Sequence, residues 1–110
     1  MARFVKGDVV VVPFPFSDLS QAKRRPALVM ASLHGDDLIL CQITSQAVKD
    51  SYAVAIAEAD FADGGLKQPS HIRPNRLFTA DSRIILYRVG RLAPATLDRV
   101  IDRIVDILRG

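Results

Sequence analysis

The sequence predicts a mostly β fold, a small and strongly bent antiparallel sheet or barrel, followed by one C-terminal helix. Five or six short runs of β-branched and apolar residues are separated by polar or glycine-bearing turns, which is typical of consecutive antiparallel strands. Near the end of the chain, the apolar residues change to helical spacing. A chain of 110 residues with this pattern is expected to form a single domain, residues 1–110.

The first strand is predicted at residues 8–16, which are rich in valine and phenylalanine. Pro13 and Pro15 indicate a sheet edge or the end of the strand, because proline cannot donate a sheet hydrogen bond. Residues 17–25 are polar and end in three cations, so they are expected to form an exposed loop.

The remaining strands are predicted from runs of similar composition, each bounded by turn residues. The first two of them form a hairpin, because a Gly-Asp-Asp turn separates them. A polar connection at residues 60–65 precedes the last two, and Pro74 assigns one of these to a sheet edge. In chain order the runs are residues 26–32, 38–44, 52–57, 70–79 and 84–89, the last closing at Gly90.

The final segment is predicted to be one amphipathic helix. Pro94 suits a first helical turn and Gly110 follows the last apolar position. Because acids and arginines balance between the apolar positions, the helix is expected to cover the sheet without carrying chemistry. Its apolar positions are Leu97, Val100, Ile101, Ile104, Val105 and Leu108.

Charge is distributed unevenly along the chain. The net charge is only +3, but residues 23–25 are all cations, and residues 66–91 contain six cations against Asp81 alone. If these two segments meet in space, they form a basic surface suited to phosphates. If they do not, the arginines are ordinary solvated surface residues.

The composition argues against several classes of protein. Cys41 is the only cysteine, so the chain cannot form an intrachain disulfide or a zinc site built on several cysteines. The longest apolar run, residues 9–16, contains two prolines and is far shorter than the ~20 residues of a membrane-spanning helix. The N-terminus lacks the apolar region of a signal peptide. A cytoplasmic location is therefore expected.

Short motifs spread along the chain match one family in order and spacing. They are Gly7-Asp8-Val9-Val10, Arg25-Pro26-Ala27-Leu28-Val29, Ile43-Thr44-Ser45, Gly65-Leu66-Lys67 followed by Ser70 and Arg73, Leu77-Phe78-Thr79 and Val89-Gly90-Arg91-Leu92. Together they resemble the MazF/PemK toxins of type II toxin–antitoxin systems, in particular the PemK-like branch, over nearly the whole chain. Each motif is weak alone, and their joint order carries the resemblance.

The resemblance implies an SH3-like barrel that works as a homodimer. It also implies a sequence-specific endoribonuclease, an mRNA interferase that needs no metal or cofactor and cleaves single-stranded RNA through the substrate's own 2′-hydroxyl. The partners it implies are RNA and a cognate antitoxin with an acidic tail. DNA would be reached only through the antitoxin, and no membrane is involved.

The resemblance also identifies site residues. Arg25 matches the family's arginine before proline, and Pro26 restricts its backbone to an extended conformation. Thr44 matches the active-site threonine, and strand alternation independently separates it from the apolar face of Ile39, Cys41 and Ile43. Arg73 matches an arginine of the PemK branch. The residues expected to contact RNA around them are Lys23, Arg24, Gln42, Ser45, Asn75 and Arg76.

The chain departs from the PemK branch at Asn75, where the branch has an aspartate that is its proposed base. His71 is a candidate replacement, because on a strand it projects to the same face as Arg73. Alternatively, arginine electrostatics carry the reaction. The other histidine, His34, lies in a predicted turn and is set aside.

Two non-catalytic alternatives remain open. A CcdB-like inhibitor of DNA gyrase has the same fold, but that relative uses a C-terminal tryptophan, and this chain contains no tryptophan. A module that binds RNA or antitoxin without cleaving is the other alternative, and Asn75 is the main observation in its favour.

Overall fold

One antiparallel sheet of seven strands contains all the strands of the computed structural model, which describes residues 3–14 and 23–110. Across the sheet the strands lie in the order β4-β6-β3-β2-β1-β7-β5, and the sheet curls into a half-barrel. The predicted mostly β fold with one C-terminal helix is confirmed. The elements are β1 Asp8–Phe14, β2 Lys23–Ser32, β3 Asp37–Thr44, β4 Val54–Ile56, β5 Phe61–Gly64, β6 Ser70–Asp81, β7 Tyr87–Leu92 and α1 Pro94–Arg109.

Apolar side chains pack on both faces of the sheet. The strand β1 is buried on both sides, which explains its continuous run of valines in place of an alternating pattern. The helix-side core contains Val9, Leu28, Met30, Cys41, Ile43, Val54, Ile56, Ile72, Leu92 and Val100. The second core, on the other face, contains Val10, Val12, Ala27, Val29, Leu38 and Leu40.

The helix α1 covers the helix-side core as expected. Val100 is fully buried there, and Leu97, Ile101 and Ile104 pack against the same cluster. Pro94 lies in the first turn, where the missing N–H breaks no helical hydrogen bond. Within residues 3–14 and 23–110 no helix is long and apolar enough to cross a membrane.

The assignment of the strand with Pro74 to a sheet edge is wrong only for its first residues, because β4 pairs with residues 70–72 and, among the described strands, the rest of β6 pairs with β3 alone. The pairing changes register here: Cys41 pairs with Leu77, but Ile43 pairs with Ile72. Residues 73–76 of β6 therefore bulge opposite the single residue Gln42. The bulge gives the buried Pro74 a position at which regular pairing with β3 is already interrupted.

The predicted polar connection at residues 60–65 is also wrong, because Phe61–Gly64 form β5 and pair with β7. The backbones approach so closely that a Cβ on Gly64 would overlap the carbonyl oxygen of Val89. Gly64 has a φ of 62°, which a glycine adopts without strain. Because β5 pairs with residues 90–92, β7 continues past Gly90 to Leu92. The strand predicted at residues 84–89 therefore lies about three residues further along the chain, at Tyr87–Leu92.

Two further boundaries differ from the prediction. Lys23, Arg24 and Arg25 belong to β2 because they pair with β1, so this part of the predicted loop is extended strand. Residues 15–22, which include the remainder of that loop and the predicted end of the first strand, lie outside the described residues. The strand β4 is only three residues long, Val54–Ile56, and pairs with the first three residues of β6.

Candidate active site

Arg25, Thr44 and His71 lie side by side on three adjacent strands. Thr44 is the Cα partner of His71 in the pairing of β3 with β6. In the pairing of β2 with β3, Ala27 lies opposite Gln42, and continuing this register by two residues sets Arg25 beside Thr44. With neighbouring strands about 4.8 Å apart, the three Cα atoms span roughly 10 Å. We call these three residues the cross-strand row.

The side chains of the row emerge on the face of the second core. Ala27 of β2 and Leu40 of β3 belong to that core, and strand alternation sends Arg25 and Thr44 to the same side. His71 follows because directly paired residues share a face. The predicted separation of Thr44 from the face of Cys41 and Ile43 therefore agrees with the packing.

Three buried nitrogen atoms at this place have no hydrogen-bond partner within residues 3–14 and 23–110. They are the Nε atoms of Arg25 and Arg73 and the Nδ1 atom of His71. Buried polar groups are nearly always paired, so these three groups, on β2 and β6 with β3 between them, require a ligand or solvent to satisfy them. Each side chain is partly exposed and can still reach such a ligand.

Thr44 is held by a hydrogen bond that leaves its own proton free. Its Oγ1 atom accepts the backbone N–H of Gln46 at 3.1 Å. Because the backbone is the donor, the hydroxyl proton remains available for an acceptor such as a phosphate oxygen. The end of β3 therefore presents a hydroxyl donor beside the side chains of Arg25 and His71.

Arg73 stands two residues beyond His71 and is paired with a carboxylate. Its Nη2 atom donates to Oδ2 of Asp50 at 3.0 Å. Burial acts to raise the pKa of the Asp50 carboxyl, but the hydrogen bonds from Arg73 and from the Tyr52 backbone outweigh it and hold the pKa below its ordinary value. The pair is therefore ionised at neutral pH.

The residues predicted to contact RNA surround the row at different levels of exposure. Lys23 and Arg24 are exposed at the start of β2, and Ser45 is exposed just after β3. Gln42 is partly buried opposite Ala27. Asn75 and Arg76 are exposed in the bulge of β6. These positions border the cross-strand row without lying on it.

The cations of residues 66–91 do not join into one basic surface with residues 23–25. Most of them pair with acids, and only Arg73 and Arg76, in the bulge of β6, lie near the row. Arg83 pairs with Asp81 at the far end of β6, and Arg88 and Arg91 pair with Asp8 beside β1. His34 is exposed in the turn before β3, at the opposite end of that strand from Thr44.

Asp50 is the residue that sequence reasoning missed. It lies in the polar segment between β3 and β4, where aspartates are common for reasons of turn geometry. Its distance of 23 positions from Arg73 forms no motif. Only the folded register of β3, β4 and β6 brings the two side chains together.

The arrangement has the groups needed to bind a phosphodiester. Two guanidinium groups can contact the phosphate oxygens, a hydroxyl can donate a further hydrogen bond, and an imidazole can accept a proton. Among the described residues no group of three or more His, Cys, Asp or Glu side chains is placed to hold a metal ion.

Several solved structures have the same fold as this chain. An endoribonuclease from a mycobacterial species, solved in complex with its cognate antitoxin, superposes with a TM-score of 0.77 at 14% identity, covering 97% of this chain and 96% of that one. The MazE-MazF complex of Deinococcus radiodurans gives a TM-score of 0.75 at 19% identity, covering 96% and 95%. The Mycobacterium tuberculosis toxin MazF-mt6 gives 0.71 at 17%, covering 93% and 96%.

The amino-acid sequence of the chain also matches one protein family, in agreement with the fold. Residues 5–108 match the PemK-like, MazF-like toxins of type II toxin–antitoxin systems. No curated protein matches the chain significantly. The family match includes all the strands and nearly all of the helix. The chain therefore belongs to the PemK-like, MazF-like toxin family of type II toxin–antitoxin systems.

Proposed function

We propose that this protein is the toxin of a toxin–antitoxin system and that it acts as a metal-independent, sequence-specific endoribonuclease on single-stranded RNA. The observation that carries the proposal is the cross-strand row, in which Arg25, Thr44 and His71 meet on one face with unpaired buried nitrogens on Arg25 and His71. The family membership and the endoribonuclease among the proteins of the same fold support it.

The proposed reaction is attack of the RNA 2′-oxygen on the adjacent phosphorus. The bond from phosphorus to the 5′-oxygen breaks, leaving a 2′,3′-cyclic phosphate, while the 2′-proton passes to His71 and the departing 5′-oxygen takes a proton from water. The hydroxide that remains takes the proton from His71 and restores the neutral imidazole. Arg25 and Arg73 stabilise the negative charge that develops on the five-coordinate phosphorus, and Thr44 donates to one of its oxygens.

The proposal is tested by incubating the purified protein with a long single-stranded RNA in the presence of EDTA. Cleavage at a short recurring sequence is expected. An intact RNA that still binds the protein would instead favour the module that binds without cleaving. Inhibition of DNA gyrase without RNA cleavage would favour the CcdB-like alternative.

The proposed partners are a second copy of the chain and an antitoxin with an acidic tail. The antitoxin partner is supported by two solved structures of the same fold that are complexes, namely a mycobacterial endoribonuclease with its cognate antitoxin and MazE-MazF of Deinococcus radiodurans. A homodimer would widen the concave surface available to RNA. Sedimentation should therefore give about twice the 12.1 kDa of one chain, and a strict monomer at micromolar concentration would contradict the shared surface.

Replacing Thr44 by valine should lower kcat/KM roughly tenfold, since one hydrogen bond to a charged oxygen is lost at nearly constant volume. Valine also removes the acceptor for the Gln46 N–H. Thr44→Ser is the control, because it keeps the hydroxyl and should retain most of the activity. Initial rates on a short RNA distinguish the two. Equal losses in both variants would remove the hydroxyl from the mechanism.

Replacing His71 by alanine should abolish an acid limb in the pH profile. An imidazole accepts a proton only when it is neutral, so kcat/KM of the wild type is expected to rise with pH and then level off. The profile of His71→Ala should be flat and lower. If the wild type shows no such rise, arginine electrostatics carry the reaction, and Asn75→Asp is then expected to raise the rate.

A further inference from the structure

Asp50 is fixed at both of its carboxylate oxygens. Oδ2 accepts from Nη2 of Arg73 at 3.0 Å, and Oδ1 accepts the backbone N–H of Tyr52 at 3.0 Å. The side chain of Arg73 is 21% exposed and that of Asp50 is 26% exposed, so water competes only in part with the hydrogen bond between them. The segment that follows β3 is thereby tied to the bulge of β6.

Arg73 is held at its backbone as well as at its guanidinium. The Sγ–H of Cys41, on the neighbouring strand β3, donates to the Arg73 carbonyl oxygen at 2.9 Å. Burial raises the pKa of the Cys41 thiol to about 12, so the thiol keeps the proton for this bond. With the backbone and Nη2 both fixed, the direction of the remaining guanidinium N–H groups is set.

An arginine has five N–H donors, and the hydrogen bond with Asp50 uses only one nitrogen of Arg73. The buried Nε has no hydrogen-bond partner among the described residues. A guanidinium with a carboxylate on one edge and a free donor on another is arranged to contact a second anion. Along β6 this donor stands two residues from His71, at the start of the bulge.

We propose that Asp50 is a positioning residue that orients Arg73 toward the scissile phosphate. This inference rests on the proposed function. Asp50 acts through Arg73 and not as a base, because both of its oxygens are engaged and it does not lie on the cross-strand row. Its negative charge also weakens the net attraction of Arg73 for RNA.

Because Asp50 both orients Arg73 and offsets its charge, replacing Asp50 should affect kcat and KM differently. Asp50→Asn keeps an acceptor for the Tyr52 N–H but loses the charge that holds Arg73, so kcat should fall about tenfold through lost preorganisation. KM should stay constant or decrease, because a cation is released from its partner. A merely structural role would lower the amount of folded protein without this split.

Asp81 offers a matched control. It also accepts the backbone N–H two residues later, from Arg83, and pairs with that arginine's side chain. It stands at the opposite end of β6 from Arg73. Asp81→Asn should therefore leave both kcat and KM at wild-type values, whereas Asp50→Asn should lower kcat without raising KM.

The ratio of the two rates is expected to be independent of pH between 5.5 and 8. The pKa of Asp50 is held below its ordinary value, so its ion pair with Arg73 is fully present above that value and is lost only as the pH falls through the lowered pKa. A wild-type to Asp50→Asn ratio that changes across this range would contradict positioning by a permanent charge.

A double-variant cycle with Arg73→Ala decides whether Asp50 acts through Arg73. In that background the further change Asp50→Asn should have no effect on kcat. If the two losses multiply instead, Asp50 acts independently of Arg73 and the proposal is wrong.

A spectroscopic measurement keeps the inference testable even if the wild type cleaves no RNA, which would refute the proposed function alone. The ¹H–¹⁵N signal of Arg73 Nε–H should be resolved in the wild type and in Asp81→Asn, and should broaden or disappear in Asp50→Asn. An unchanged Arg73 signal in Asp50→Asn would overturn the inference whatever the activity.

Discussion

Replacing Arg25 by alanine should lower the rate of RNA cleavage by a factor on the order of 10²–10³, the usual cost of one preorganised transition-state donor. Arg25 lies opposite Val12 in a regular part of the sheet, and Pro26 limits its backbone conformations. Its side chain is therefore directed before the substrate arrives. The loss should appear mainly in kcat, because the charge it stabilises develops during the reaction.

The same variant should relieve the growth arrest that we expect when the wild type is expressed without an antitoxin. Arg83→Ala is the control, because Arg83 is 79% exposed and pairs with Asp81 at the far end of β6. Both variants should unfold at nearly the temperature of the wild type. Toxicity and cleavage that persist in a folded Arg25→Ala protein would remove this residue from the site.

Replacing Asp8 by alanine should destabilise the fold by about 2–3 kcal/mol, because several charge-assisted hydrogen bonds are lost at once. Asp8 is 2% exposed at the start of β1. Its Oδ2 accepts the Val5 N–H at 2.9 Å, and its Oδ1 accepts from Arg88 Nε at 3.1 Å. Arg91 Nε lies 3.5 Å from the same oxygen.

The matched control is Asp63→Ala, which removes the other carboxylate that contacts Arg88. Asp63 is 55% exposed, so its loss should change stability by less than about 1 kcal/mol. Thermal unfolding should show a decrease of roughly 10 °C for Asp8→Ala and a much smaller one for Asp63→Ala. Equal shifts would mean that burial of Asp8 contributes nothing to the strength of its contacts.

The elements that the sequence predicts well are those determined by local pattern. The helix and the strands β2 and β3 follow from spacing and composition, because their faces are set by residues close in sequence. The strand β5 has no such pattern, since it forms where Gly64 and Gly90 allow two backbones to meet. The bulge around Pro74 likewise depends on the pairing of β6 with β3.

The residues of the candidate site can likewise be predicted from local sequence pattern, but their arrangement cannot. The motifs and the alternation of β3 identify Arg25, Thr44 and His71 as separate residues, but only the sheet register sets them in one row. The partner of Arg73 could not be predicted, because Asp50 is distant in sequence. For the same reason the charge pattern overstated the basic surface, since it contains no information about ion pairing.

If the cross-strand row cleaves RNA through the substrate's 2′-hydroxyl, removing that one hydroxyl from the substrate should abolish cleavage. A short RNA containing the cleaved sequence is compared, in EDTA, with the same oligonucleotide carrying one 2′-deoxynucleotide immediately 5′ of the scissile phosphate. We expect the RNA to be cut to a 2′,3′-cyclic phosphate and a 5′-hydroxyl end, and the substituted oligonucleotide to bind but remain intact. Cleavage of both oligonucleotides at the same bond and at similar rates would contradict attack by the 2′-hydroxyl.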